Sequence, residues 1–265
     1  MTAKNYRSYF SSIIFLSVYS LLMSCNSTAT QISEKTIYIT IDDAPLSGID
    51  NILSAVEEEN VSITLFMVGE HILASNYHQE MLAKAKQNSN ILVANHSNSH
   101  AHEHYQQFYS SSSGVLDDMQ INNRIIGLSK EPFYSRLPGR DVFRLPNLKT
   151  EDPYITQQED ENERIDFDAL YDHGFFLYGW DLEWSHETSG KPIQSVDKLM
   201  QQINYQFTNN STQTKNHLVL LMHDQMFADH LNGKENLSTL FKALKEAGYK
   251  LSALDKYPIN QNADN

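Results

Sequence analysis

From residue 36 onward the chain alternates two hydrophobic patterns. Short runs rich in β-branched and aromatic residues read as strands at 36–41, 61–68, 91–93, 133–136, 175–178, 218–222 and 249–251. Between them, polar stretches with apolar residues three or four apart read as helices at 50–59, 77–87, 115–128, 167–171, 195–207 and 237–247. In 195–207, Val196, Leu199, Met200, Ile203 and Phe207 share one face, and Gly248 follows 237–247 where a helix ends. Repeated β-then-α units predict a parallel sheet with helices outside it. An open doubly wound sheet and a closed barrel both satisfy this pattern. Residues 141–163 interrupt it. They are acidic, contain Pro146 and Pro153, and predict a long surface loop, solvated over 151–163, with a place on the rim of a groove as the alternative.

The first residues have a different pattern. Lys4 and Arg7 precede an uncharged apolar run at 13–23, too short for the roughly 20 residues that a bilayer span needs. The run fits a signal-peptide core. Leu22-Met23-Ser24-Cys25 closes it and resembles the lipobox of bacterial lipoproteins, in which the cysteine is acylated and becomes the new N-terminus. Residues 1–24 are therefore expected to be a signal peptide, 25–35 a tether from lipidated Cys25, 36–255 the folded domain and 256–265 a tail. Cys25 is the single cysteine, so no disulfide is available and stability rests on an ordinary core. The formal net charge of −13 becomes −15 once residues 1–24, which carry two positive charges and no acid, are removed. Such a surface repels nucleic acid and anionic headgroups, so the lipid would be the attachment. Asn26 lacks the acidic signal for inner-membrane retention, and an exported lipoprotein on the periplasmic face, at the outer membrane, is expected.

Several familiar sites are excluded. No two of the ten glycines are two or four apart, so neither a dinucleotide fingerprint nor a nucleophile elbow exists. His102-Glu103 would need a histidine at 106, which is Gln106, and His186-Glu187 meets Gly190. The ionisable residues instead gather where strands end. Asp42 and Asp43 follow 36–41, His96 and His100 follow 91–93, Arg136 closes 133–136, Asp181 and Glu183 follow 175–178, and His223 and Asp224 follow 218–222. In a (β/α) barrel such ends meet on one face. A helical turn would place His96 and His100, four apart, on one side. Two imidazoles and one carboxylate make a catalytic zinc site with an open position, other divalent transition metals being possible. Adjacent side chains diverge, so one of Asp42 and Asp43 is expected to ligate and the other to act as general base. Arg136 would hold that base ionised, and His223 would protonate the leaving group. His102 and His104 read as solvated neighbours.

Taken in order, Thr40-Ile41-Asp42-Asp43, His96-Ser97-Asn98-Ser99-His100, Arg136-Leu137-Pro138, Asp181-Leu182-Glu183-Trp184 and Leu221-Met222-His223 resemble the motifs of the polysaccharide deacetylase family with the NodB homology domain, carbohydrate esterase family 4. The likeness covers roughly residues 36–255. It implies a distorted (β/α) barrel of about seven parallel strands and hydrolysis of acetyl groups, N-acetyl groups foremost, from an acetylated polysaccharide. It also implies Asp42 as base, Asp43, His96 and His100 as zinc ligands, Arg136 as support of the base and His223 as general acid tuned by Asp181. Leu221 would lie beside the acetyl methyl, Gly139 would lend its N–H to the oxyanion and Trp184 would form a sugar-stacking wall. The third motif departs from the family's aromatic-containing form in Leu137-Pro138-Gly139-Arg140, and the fourth has its Asp one residue nearer the Trp. The alternatives are an O-acetyl esterase of the same family and a glycan-binding lipoprotein without turnover.

Overall fold

The structure is a computed structural model that describes Met1 and residues 34–259. The expected signal segment, Cys25 and most of the tail lie outside the described residues. Among the described residues there are ten strands: β1 Thr36–Ala44, β2 Ile63–Met67, β3 Ile91–Asn95, β4 Phe133–Ser135, β5 Arg144–Leu145, β6 Leu148–Lys149, β7 Phe175–Leu177, β8 Leu182–Glu183, β9 His217–His223 and β10 Lys250–Ser252. Eight helices interleave with them: α1 Ile49–Glu59, α2 Gly69–Leu73, α3 Asn76–Gln87, α4 Tyr105–Phe108, α5 Ser112–Ile126, α6 Gln157–Asp172, α7 Val196–Thr208 and α8 Gly233–Glu246.

The strands form one curled sheet in the order β6-β5-β7-β4-β3-β2-β1-β9-β8, with β10 beside the start of β1. From β7 to β8 every pairing is parallel, as expected of βα units, and of the small β5–β6 hairpin only β5 runs against them. Among the described residues no pairing joins β6 to β8, so the sheet is a half-barrel.

The period of two in β1 sorts its side chains. Ile37, Ile39 and Ile41 face the helix layer and pack with Ile52 and Val56 of α1 and with Leu240 and Phe241 of α8. Tyr38 faces the inside of the curl with Phe66, Phe143, Tyr178, Val219 and Tyr257. Thr40 and Asp42 continue that inner face toward the C-terminal mouth. Tyr257 is buried, so the packed domain runs past residue 255.

The 141–163 stretch is not a solvated loop throughout. Helix α6 starts at Gln157, where Thr156 and Glu159 form a reciprocal capping box. Glu163 is 3% exposed and receives Arg140 Nε and Nη2 at 2.6 and 2.8 Å. Its acids therefore include buried, partnered carboxylates, which a composition reading cannot separate from solvated ones.

Candidate active site

The strand ends β1, β3, β4 and β9 bring Asp42, Asp43, His96, His100, Leu137, Gly139, Leu221 and His223 around one cleft of about 620 Å³. Its first feature is a bulge. Ile41 pairs with Leu65 while Ala44 pairs with Met67, so β1 holds one extra residue between them. Asp43 takes a left-handed φ of 67° there. A bulge re-aims side chains that would otherwise alternate. Both carboxylates consequently face one histidine: His96 Nε2 lies 3.6 Å from Asp42 Oδ2 and 3.5 Å from Asp43 Oδ1. The expected divergence of the two neighbours is overcome by this extra residue.

His96 and His100 do not sit on a helical turn, contrary to the spacing argument. Residues 96–99 are irregular, Ser97 is left-handed, and His100 to Glu103 all have positive φ. The loop is fixed by polar bonds instead. Asn95 Oδ1 accepts the Ser97 N–H at 2.8 Å, and Asp118 on α5 accepts the N–H groups of Asn98 and Ser99 at 2.7 and 3.2 Å. Strained backbone of this kind persists where its surroundings over-determine it. The result brings the His96 and His100 rings to 5.1 Å between centroids.

The tautomers follow from outer partners. His96 Nδ1 donates to the Arg136 carbonyl at 2.9 Å, and His100 Nδ1 donates to Glu103 Oε1 at 2.7 Å. Each Nε2 then turns a lone pair toward Asp43, with His100 Nε2 at 3.1 Å from Oδ1. One ligand atom each from Asp43, His96 and His100 lie within 4.8 Å of one another. Three acceptors so close repel unless a cation or a proton lies among them. Burial alone would raise the Asp43 carboxyl, yet hydrogen bonds and charge from His100 and His96 hold it well below the usual range. Burial likewise opposes charge on His100, but Asp43 and Glu103 push its pKa up to about 9. The set fits a divalent transition metal, with imidazole orientation fixed by the bonds just described.

Arg136 is fully buried beneath Asp42. Nη1 donates to Asp42 Oδ1 and Thr40 Oγ1, both at 2.8 Å, while Nε and Nη2 donate to the carbonyls of Tyr178 and Gly179 at 2.9 and 2.7 Å. Its guanidinium lies 4.5 Å from the Phe66 ring centre. The charge is therefore paired and hydrogen-bonded, as a buried cation must be.

The opposite wall departs from expectation in two places. Asp181 does not reach His223. Its oxygens accept the N–H groups of Gln213 and Val219 at 2.6 and 2.7 Å. Val219 is four positions, roughly 13 Å of strand, below His223. What faces His223 is His186, with rings 4.8 Å apart and nearly perpendicular, and His223 Nδ1 has no hydrogen-bond partner. Burial lowers the His223 pKa, and Asp42 and Asp43 counter it. Trp184 is also no wall. It is 1% exposed, packs on Phe227 and donates its indole N–H to the Gln194 carbonyl at 2.8 Å. Trp180 lines the cleft in its place.

Other residues at the site carried only weak signals in sequence. Glu103 is three residues from His100. Tyr105 covers Gly139, whose φ is 64° and whose absent Cβ would lie 3.1 Å from that ring, so an aromatic from α4 supplies what the third motif lacks. His71 Nδ1 donates to the Asp43 carbonyl at 2.7 Å and stacks on His100. Glu183 lines the cleft, its backbone in register with Leu221.

Comparison with known proteins agrees with this geometry. A sequence model described as polysaccharide deacetylase matches residues 29–158. A chitin disaccharide deacetylase of Vibrio alginolyticus is 22% identical over 87% of this chain and 73% of its own. The catalytic domain of a peptidoglycan N-acetylglucosamine deacetylase from Eubacterium rectale superposes with a TM-score of 0.60 at 24% identity, covering 88% of this chain and 95% of that one. A structure described as a carbohydrate esterase family 4 pseudoenzyme from Bacillus anthracis aligns at 0.52 with 19% identity, over 84% of this chain and 65% of that one. Residues 29–158 thus match the polysaccharide deacetylase family, and the Vibrio and Eubacterium proteins, similar to this chain over most of its length, are named as deacetylases of glycans.

Proposed function

We propose that this protein removes N-acetyl groups from an acetylated glycan such as chitin, peptidoglycan or poly-N-acetylglucosamine, using one divalent cation, zinc by ligand preference, on Asp43, His96 and His100. The observation that carries the reading is the convergence of those three ligand atoms beside Asp42, a non-ligating carboxylate bonded to a buried arginine. The bound metal would supply Lewis acidity toward the acetyl carbonyl and the attacking water. Asp42, kept ionised by Arg136, accepts the proton of that water. His223, across the cleft, gives a proton to the departing amine nitrogen. The Gly139 N–H faces the developing oxyanion, and Leu221 packs beside the acetyl methyl.

Acetate release from chito-oligomers, peptidoglycan and poly-N-acetylglucosamine, with and without chelator, tests this. Chelator-sensitive release from any of them supports it. Release from acetylated xylan alone would make the protein an O-acetyl esterase. Glycan binding without release would make it a non-catalytic lipoprotein, an option kept open by the pseudoenzyme of similar fold. We further propose that residues 1–24 are removed and that acylated Cys25 anchors the protein on the periplasmic side, at the outer membrane. Labelling with a radioactive fatty acid that persists in Cys25→Ser would overturn that placement.

A further inference from the structure

We propose that Tyr154 and Trp180 form a second sugar subsite beside the reaction centre, taking the apolar face of an uncharged pyranose ring next to the one being deacetylated. The inference rests on the deacetylase reading and extends it to substrate length. The two rings are 6.1 Å apart and within 14° of parallel. Tyr154 is 72% exposed, the most exposed large hydrophobic side chain between residues 34 and 259, and both rings line the cleft. An aromatic left in water by a fold that buries most of its others marks a contact surface more than a packing need.

The pair is built rather than incidental. The Trp180 N–H donates to Asp141 Oδ1 at 2.8 Å, the Asp141 N–H to Asp152 Oδ2 at 3.0 Å, and the Tyr154 N–H to Asp152 Oδ1 at 2.8 Å. Asp141 and Asp152 are both buried. Two interior carboxylates therefore tie the backbone under one ring to the backbone under the other. Trp180 also lies 5.7 Å from the Arg136 guanidinium, which holds Asp42. A layered run from Phe66 through Arg136 and Trp180 to Tyr154 thus leads from the core, past the base, to the edge of the cleft. Flat faces with a polar tip suit a sugar, whose ring carries C–H groups on its faces and hydroxyls at its edge. Glu183 and Glu103 on the same cleft disfavour polyanionic glycans.

The test uses the metal-loaded full domain with chito-oligomers of one to six units, wild type against Tyr154→Ala and Tyr154→Phe. The expected result is a KM increase of about three- to tenfold for Tyr154→Ala on dimers and longer chains, the scale of one aromatic stacking contact, with a smaller change on the monomer and in kcat. Tyr154→Phe should restore the KM. Of the two tryptophans, one is buried at position 184, so quenching of intrinsic fluorescence by the hexamer reports Trp180 and gives affinity without turnover. Equal KM and equal quenching affinity in Tyr154→Ala and wild type at every length would overturn the subsite even with acetate released normally. Absence of acetate release, with hexamer affinity still weakened in Tyr154→Ala, would remove the deacetylase reading and leave the subsite standing.

Discussion

At the ends of β1, β3 and β4, the reactive side chains are gripped from behind. Asp42 has Arg136, His96 has the Arg136 carbonyl, His100 has Glu103, and the Asp43 carbonyl has His71. Across the cleft, at the ends of β8 and β9, His223 has an unpartnered Nδ1 and a second imidazole against its ring. The first wall is built to hold acceptors together against their own repulsion. The second leaves its histidine unclamped. Groups that bind a cation need fixed geometry before it arrives, whereas a proton donor needs reach and a suitable pKa.

The strongest way to break the contrast is at the clamped wall. Asp43→Ala should abolish both metal uptake, read by elemental analysis, and acetate release. Exhaustive chelation of the wild type should do the same, reversed by zinc or cobalt. Asp42→Asn should keep the metal yet lower kcat by about 10²–10⁴-fold, the range of a general base. Metal loss in that variant would mean that Asp42 is a ligand and that the bulge serves a four-ligand site. His223→Ala should lower kcat at the lower end of the same range, with metal content unchanged. Glu103→Ala tests the grip alone: metal affinity should fall about 10–100-fold by competition titration, since the His100 ring loses the bond that fixes its tautomer.

The same contrast explains what could be read in advance. The parallel βα order and the helix α7 face were visible because hydrophobic period records which side of an element is buried. Asp42, His96, His100, Arg136 and His223 were visible because each stands at a strand end, where position in sequence fixes position in space. The bulge at Asp43 was not, since an extra residue in a strand leaves no mark in the apolar pattern. The partner of His223 was misplaced because Asp181, at a strand start, bonds backbone N–H groups of the neighbouring strand that no spacing rule connects to it. Trp184 was taken for the cleft wall that Trp180 forms for a related reason. Positions 180 and 184 differ in burial through the turn between β7 and β8, and residue type alone does not say which indole is inside. Helix α6 was half lost because its first turns are acidic and lack the apolar period that marks 167–171.

The smallest effect concerns how the two walls are joined. Asp224 follows His223 and is fully buried. Its Oδ1 accepts the Gly48 N–H at 2.7 Å, just past the Asp42-Asp43 bulge, while Oδ2 has no partner. Gly48 is required there, since a Cβ would lie 2.0 Å from the Asp224 carbonyl oxygen. Burial raises the Asp224 pKa to about 7, only partly offset by backbone N–H groups at Leu46 and Gly48. An acid whose folded pKa lies above its unfolded value of about 3.9 holds its proton more tightly when folded. Its contribution to stability is complete at low pH and is lost as pH rises from about 4 to about 7. Asp224→Asn keeps the acceptor for Gly48 and removes the ionisation. Its unfolding free energy should match the wild type near pH 4 and exceed it by roughly 1–3 kcal/mol at pH 8, the penalty of an unmet buried group. Denaturant melts at several pH values would read this as a flatter profile. A profile with the wild-type slope would mean that Asp224 titrates normally and that the join between the walls is made by the backbone contact at Gly48 alone.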